Sequence, residues 1–236
     1  MDILKKFDFM KTYIYINITV LGTVNSVLSN LISRIRKSGL YDFCDGVYLV
    51  VNGDISALSV DMSGDKMIVI DNGKDISGYE FPALTMLFEH SLKEDFRVLY
   101  MHTKGVSKNH PFIEDWTNLL AYFNIDRWQE RYSEIESNDC TGINLFGKRE
   151  DLYAPPSHWG YGLTPVHYSG NFWWSNSTHI RNLAHPIGWA PDGNLARWRM
   201  MNEMWICSSS VGKYNCAYNS NVDHYQNPYP SHIYEI

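Results

Sequence analysis

The sequence predicts an α/β fold, a central and mostly parallel sheet of about six strands with helices on both faces. Two observations carry that expectation. Short apolar runs bounded by glycine or polar residues, Gly46–Gly53 (GVYLVVNG) and Lys66–Gly73 (KMIVIDNG) first among them, read as strands buried on both sides. Stretches with apolar residues at helical spacing alternate with such runs. The chain has 236 residues, 44% hydrophobic and 19% charged, a composition that sustains a sizeable core. No linker-like tract or internal repeat divides it, so residues 1–236 read as one domain.

Thr12–Val20 (TYIYINITV) alternates β-branched and aromatic residues and forms a first strand. Val24, Val27, Leu28, Leu31, Ile32 and Ile35 share a helical face, and Gly39 stops that helix. Asp71-Asn72-Gly73-Lys74-Asp75-Ile76 is a polar loop after the third strand. Such a tract makes turns, and such a place holds ligands in open α/β sheets, so both readings stand. Phe81, Leu84, Leu87, Phe88 and Leu92 mark a second helix. Phe96–Val106 (FRVLYMHTKGV) is a central strand that runs straight into His102-Thr103-Lys104-Gly105.

Pro111, Glu114 and Asp115 signal a helix start, and Phe112, Trp116, Leu119, Leu120 and Phe123 form its apolar stripe. Trp116 fits that stripe and reads as core. Trp128, Tyr132 and Ile135 continue the stripe after a break near Asn124. Cys140–Gly147 (CTGINLFG) is another buried strand, and Asp151–Pro165 is a long irregular loop of the kind that borders active sites. Val166–Trp174 reads as a strand and turn, and Asn176-Ser177-Thr178 caps a short helix with Ile180 and Leu183. Leu195, Trp198, Asn202 and Trp205 lie near one helical face, with Glu203 beside them. From Ser208 on the chain is polar, which predicts a loosely structured tail wrapping back on the body.

Two stretches stand out as a pair, His102–Ser107 (HTKGVS) and Tyr168–Trp174 (YSGNFWW). With the closing Arg197-x-Arg199, Glu203 and Trp205, they resemble glycosyltransferases of the GT-A type. That group occurs in bacterial surface-polysaccharide clusters and in large algal (chlorella) viruses that glycosylate their own capsids. The resemblance runs from about Thr12 to Trp205. It implies a nucleotide-binding half over 12–110, an acceptor and sugar half over 111–207, and a tail over 208–236. The implied reaction is hexosyl or deoxyhexosyl transfer from a nucleotide-sugar, a UDP-sugar first, to a glycan or glycoprotein acceptor. Implied donor contacts are Asp71, Asn72, Lys74, Asp75, His102, Thr103, Lys104, Gly105, Gly170, Asn171 and Trp173. Glu203 is the implied base or acceptor-orienting residue, with Asp192 as runner-up.

Sugar transfer must meet the diphosphate's charge, activate the acceptor hydroxyl and exclude water. GT-A enzymes usually meet the charge with a metal held by an Asp-x-Asp pair after the central strand. His102-Thr103-Lys104 stands in that place here. Lys104 can neutralise phosphate directly, and His102 can hydrogen-bond a phosphate or ligate a metal. Mn²⁺ and Mg²⁺ prefer carboxylate oxygens, so such an ion would draw on Asp71 or Asp75. Gly170 allows close backbone approach, Asn171 offers donor and acceptor, and Trp173 with Trp174 can wall a sugar site.

The net charge of −6 argues against a nucleic-acid-wrapping surface. The four cysteines form no CxxC pair, which speaks for free thiols in a reducing compartment. No apolar run approaches the roughly 20 residues of a membrane helix, and the N-terminus lacks a signal-peptide core. A cytoplasmic protein is expected, in the host cytoplasm if viral. The rival reading is a non-catalytic nucleotide-sugar or glycan-binding module, since six of the eight Trp lie between Trp159 and Trp205. Lectins, however, are mostly antiparallel β. A sugar nucleotidyltransferase would want a Gly-rich phosphate loop near the N-terminus, and the sequence has none.

Overall fold

The computed structural model describes residues 10–107, 110–153, 163–189 and 195–235. β1 (Lys11–Thr19) is buried along almost its whole length, as its run of β-branched and aromatic residues requires. α1 (Val24–Lys37) buries Val24, Leu28, Leu31, Ile32 and Ile35, the stripe visible in the sequence. Gly39 follows in the left-handed conformation and leads into the single turn α2 (Leu40–Phe43). β2 (Gly46–Asn52) pairs parallel to β1, and β3 (Met67–Asp71) parallel to β2. β3 is an edge strand, with Ile68 and Val69 39% and 40% exposed. The expectation of a strand buried on both sides fails there, because a sheet edge has a neighbour on one side only.

α3 (Phe81–Ser91) leads into β4 (Phe96–His102), which pairs parallel to the other side of β1. α4 (Ile113–Ala121) passes through a π turn at Tyr122–Asp126 into α5 (Trp128–Glu134), which accounts for the break in the apolar stripe. β5 (Cys140–Ile143) is followed by the short β6 (Leu145–Phe146), which pairs antiparallel with β7 (His167–Tyr168). β8 (Trp173–Asn176) then runs antiparallel between β4 and β5. Asn176 caps α6 (Ser177–Arg181) by accepting a 2.8 Å bond from the His179 amide. α7 (Leu195–Trp205) and β9 (Tyr214–Tyr218) complete the order.

Among the described residues the main sheet has seven strands in the order β3-β2-β1-β4-β8-β5-β9, and only β8 runs against the rest. The mostly parallel α/β architecture is therefore the one expected, and it is compatible with a GT-A-like fold. The extra strand is β9, which lies in the stretch expected to be a loose tail. Tyr229 and Tyr234 beyond it pack into the core beside α4, and the Tyr229 amide donates to Asp115 Oδ2 at 3.0 Å.

Helices cover both faces. α1, α4 and α5 pack over Ile14, Ile16, Leu49 and Leu99, while α3 and α6 pack over Tyr15, Val50, Val98 and Tyr100. Adjacent strand residues point to opposite faces, so Trp174 enters the first core and Trp173 the second. Both indoles are fully buried. Among the described residues no helix is long and apolar enough to cross a membrane. All four cysteines are free thiols, with Cys44, Cys140 and Cys207 buried.

Candidate active site

The carboxyl ends of β1, β2 and β4 come together at one edge of the sheet. Register places Asn17 opposite His102 and Thr19 opposite Asn52. Buried Asn52 donates to Asn17 Oδ1 at 2.9 Å and accepts from Asn72 Nδ2 at 2.9 Å. Thr103 bridges the strands, its amide donating to the Asn17 carbonyl at 2.9 Å and its Oγ1 accepting from the Thr19 amide at 3.0 Å. Gly105 turns the chain at φ 84°, and a Cβ there would stand 2.3 Å from Ile113 Cγ1. Only glycine satisfies both the angle and the space.

The YSGNFWW turn reaches this edge from the neighbouring strand. Gly170 and Asn171 are both left-handed, at φ 97° and 55°. A Cβ on Gly170 would stand 2.6 Å from Leu120 Cδ1. The turn aims the Asn171 amide inward, where Trp173 Nε1 donates to its Oδ1 at 2.8 Å. Its Nδ2 donates to Glu80 Oε2 at 2.8 Å. Tyr100 Oη donates to the same oxygen at 2.8 Å, and the Tyr100 and Trp173 rings stack at 4.8 Å. His102 completes the group. Its Nε2 lies 3.1 Å from the Gly170 carbonyl, which can only accept, so Nε2 carries the proton. Its Nδ1 faces Glu80 Oε1 at 3.8 Å.

Glu80 is thus the point where the two motifs meet, and sequence reasoning passed over it. An acid just before Phe81-Pro82 looks like any helix start. The backbone signal is its neighbour Tyr79, a bulky residue held at φ 50°. Burial, then the charge of Glu203, push the Glu80 carboxyl up to about 7. Hydrogen bonds from Tyr100 and Asn171 and the cation of Lys104 pull the other way. Burial, then the negative charge of Glu80, raise the Tyr100 phenol well above its usual range, so Tyr100 remains a donor.

The other expected site residues divide into four groups. His102, Thr103 and Gly105 line a cleft of about 100 Å³ together with Thr19, Tyr79 and Glu80. Lys104 is buried, with Nζ 3.8 Å from the Trp116 ring centre, and lines a larger cavity of about 700 Å³ between α1 and α4. Gly170, Asn171 and Trp173 gather around Glu80, but Trp173 is core and supports Asn171 instead of walling an open pocket. Asp71, Asn72, Lys74 and Asp75 are exposed. Asp71 and Asp75 accept from the amides of Gly73 and Ser77, both at 2.8 Å, and Lys74 Nζ lies 3.9 Å from Asp54, so the turn chemistry of this loop is evident.

Glu203 is half-buried on α7, close enough for its charge to act on Glu80. The backbone carbonyl of its neighbour Asn202 accepts from Asn171 Nδ2 at 3.3 Å. Asn202 is itself buried, and both polar atoms of its side chain lack a hydrogen-bond partner among the described residues. Asp192 lies outside the described residues, as do the side chains of Arg197 and Arg199. Among the described residues no group of three or more His, Cys, Asp or Glu is placed to hold a metal ion. Comparison with protein-family models finds no match, and no curated protein is significantly similar to the chain.

Proposed function

We propose that the chain is a glycosyltransferase that moves a sugar from a nucleotide-sugar, a UDP-sugar first, to a glycan or glycoprotein acceptor. The observation that carries the proposal is the convergence of HTKG and GNFWW on one carboxylate at the sheet's carboxyl edge, with a second carboxylate beside it. In this reading the donor's nucleoside lies along the strand ends toward Asn72, Lys74 and Asp75. Its diphosphate sits above the His102-Thr103-Lys104-Gly105 turn. His102 ties that turn to the Gly170 carbonyl through Nε2, and Lys104 supplies the positive charge that a departing diphosphate needs.

Glu203, the more exposed of the two carboxylates, takes the acceptor's proton. Glu80 is a positioning residue. It holds Tyr100 and Asn171, and a carboxyl poised near neutrality can share a proton with its surroundings without a large cost. The described residues around His102 do not form a set of three ligands for Mn²⁺ or Mg²⁺, and activity in EDTA tests whether such an ion is required.

The reading is tested by incubating the protein with UDP-, GDP- and TDP-sugars and measuring free nucleotide. Release with any donor supports transfer. Binding without release supports the non-catalytic module, and neither binding nor release ends the proposal.

A further inference from the structure

A third cavity, of about 410 Å³, opens beside the His102 cleft on the C-terminal side of the sheet. It lies at the carboxyl ends of β5 and β9. Ser169, one residue before the Gly170-Asn171 turn, contributes to its wall. Asn171, on the far side of the same turn, holds Glu80. The cavity and the carboxylate pair are therefore separated by a single two-residue turn.

Its base is held rigidly. Asn144, left-handed at φ 51°, accepts from the Ser220 amide and hydroxyl at 2.9 and 3.0 Å. His224 Nε2 lies 2.9 Å from Ser220 Oγ and 3.3 Å from Asn144 Nδ2, and its ring stacks on Trp116 at 5.4 Å. Tyr225 stands edge-on to Trp116 at 5.0 Å, anchored by the bond from its amide to Asp223 Oδ1 at 2.9 Å.

The lining has a definite chemistry. Tyr225 and Phe146 line the cavity and are 39% and 37% exposed, so two aromatic rings are open to a ligand there. Ser169, Asn221 and Asp223 set hydroxyl, amide and carboxylate groups among them. None of the described lining residues is Lys or Arg, so the cavity does not suit a phosphate. Aromatic faces combined with short polar side chains suit a ligand that has apolar C–H faces and a rim of hydroxyls. Two buried ring nitrogens at the base, Trp116 Nε1 and His224 Nδ1, have no hydrogen-bond partner among the described residues. Both are shut off from solvent, so a ligand reaches neither without a shift of the cavity wall. The volume lies within the range of small-molecule sites, about 300–1,000 Å³.

We propose that this cavity binds a neutral pyranose of the acceptor glycan, between Tyr225 and Phe146, with its hydroxyls on Asn221 and Asp223. The assignment to an acceptor rests on the glycosyltransferase reading. The pocket's preference for a neutral sugar rests on its lining alone.

Saturation-transfer NMR with a panel of neutral methyl pyranosides tests the proposal. At least one glycoside should receive saturation from the wild-type protein. Tyr225→Ala and Phe146→Ala should each weaken its binding about three- to tenfold, the scale of one aromatic contact. UDP binding, followed in the same samples, should change less than glycoside binding, because neither ring lines the His102 cleft. Absence of saturation for every glycoside, or undiminished saturation in both variants, overturns the proposal. Saturation that depends on Tyr225 in a protein that neither binds nor turns over any nucleotide-sugar leaves the sugar pocket standing and removes the transferase reading.

Discussion

Two glutamates, Glu80 and Glu94, flank helix α3, and they are opposites. Glu80 precedes its first residue at the carboxyl edge of the sheet, and Glu94 lies three residues beyond its last. Each accepts a tyrosine hydroxyl, from Tyr100 and Tyr13, and each has a histidine beside it, His102 and His90. Yet Glu80 is pushed up to about 7 while Glu94 is pulled down to about 2. The helix dipole would favour negative charge at Glu80 and oppose it at Glu94, by about 0.3–1 kcal/mol. Both shifts run against it.

What decides is the company each carboxylate keeps. Lys11 Nζ donates to Glu94 at 2.6 Å, and the group is close to solvent. Glu80 is buried, with Glu203 nearby and Lys104 only a partial counterweight. A clasp wants a fixed charge, and a site gains from one that can change. Burial and a like-charged neighbour distinguish the two ends of the helix more clearly than hydrogen-bond partners do, because the partners at the two ends are so alike.

The comparison can be broken at several points. The largest effect belongs to Glu203→Gln, which keeps the shape and removes the base proposed for the acceptor. Turnover should fall about 10²–10⁴-fold with nucleotide affinity intact. The same change removes the negative charge beside Glu80, so the Glu80 titration should move down from about 7, readable by NMR of a carboxyl-labelled sample. Wild-type turnover in this variant would take Glu203 out of the mechanism.

Lys104→Ala should weaken donor binding or turnover by about 1.5–3 kcal/mol, the scale of a charge-assisted contact. It should also raise the Glu80 titration, since Lys104 lowers it. Kinetics and titration that both match wild type would refute a role for this lysine.

Glu80→Gln tests burial itself. A carboxyl raised from 4.5 to about 7 in the folded state binds more protons there than in the unfolded chain between those values. Its contribution to stability is full below pH 4.5 and is lost as pH rises through 7. The Gln variant, whose Oε1 can still accept from Tyr100 and Asn171, should therefore match wild type near pH 4.5. At pH 8 it should be more stable by about 1–3 kcal/mol. Urea unfolding at the two pH values measures this, and a variant less stable at pH 8 would mean that the charge at Glu80 is favourable.

The smallest effect is at the other end of the helix. Glu94 is lowered from 4.5 to about 2 by Lys11 first, with His90 and Tyr13 assisting. Its contribution is present above pH 4.5 and lost as pH falls towards 2. Glu94→Gln should cost about 1 kcal/mol at pH 7, given how close the group is to solvent, and should flatten the acid limb of the stability profile. An unchanged acid limb would show that Glu94 titrates normally in the folded protein.

Much of this architecture is legible in the residues. The stripes of α1, α3 and α4, the Asn176 cap and the buried run of β4 follow from side-chain periodicity and local capping, which a chain carries wherever it sits. The polar ends of two apolar stretches, at His102 and Gly170, also announce themselves locally. By itself, then, the sequence determined the alternation of strands and longer helices from β1 to β5 and the two turns that reach the sheet's carboxyl edge.

Tertiary structure decided the rest, because it depends on partners far apart in the chain. Asn171 and Glu80 are 91 residues apart, and no local pattern links them. The Trp173-Trp174 pair reads as a possible sugar wall until the pleat sends one indole into each core. Lys104 reads as an open cation until the turn at Gly105 lays it on Trp116. β9 reads as tail because Tyr-Asn-Cys-Ala-Tyr is too polar to announce a strand, and it becomes one only where β5 offers an unpaired edge.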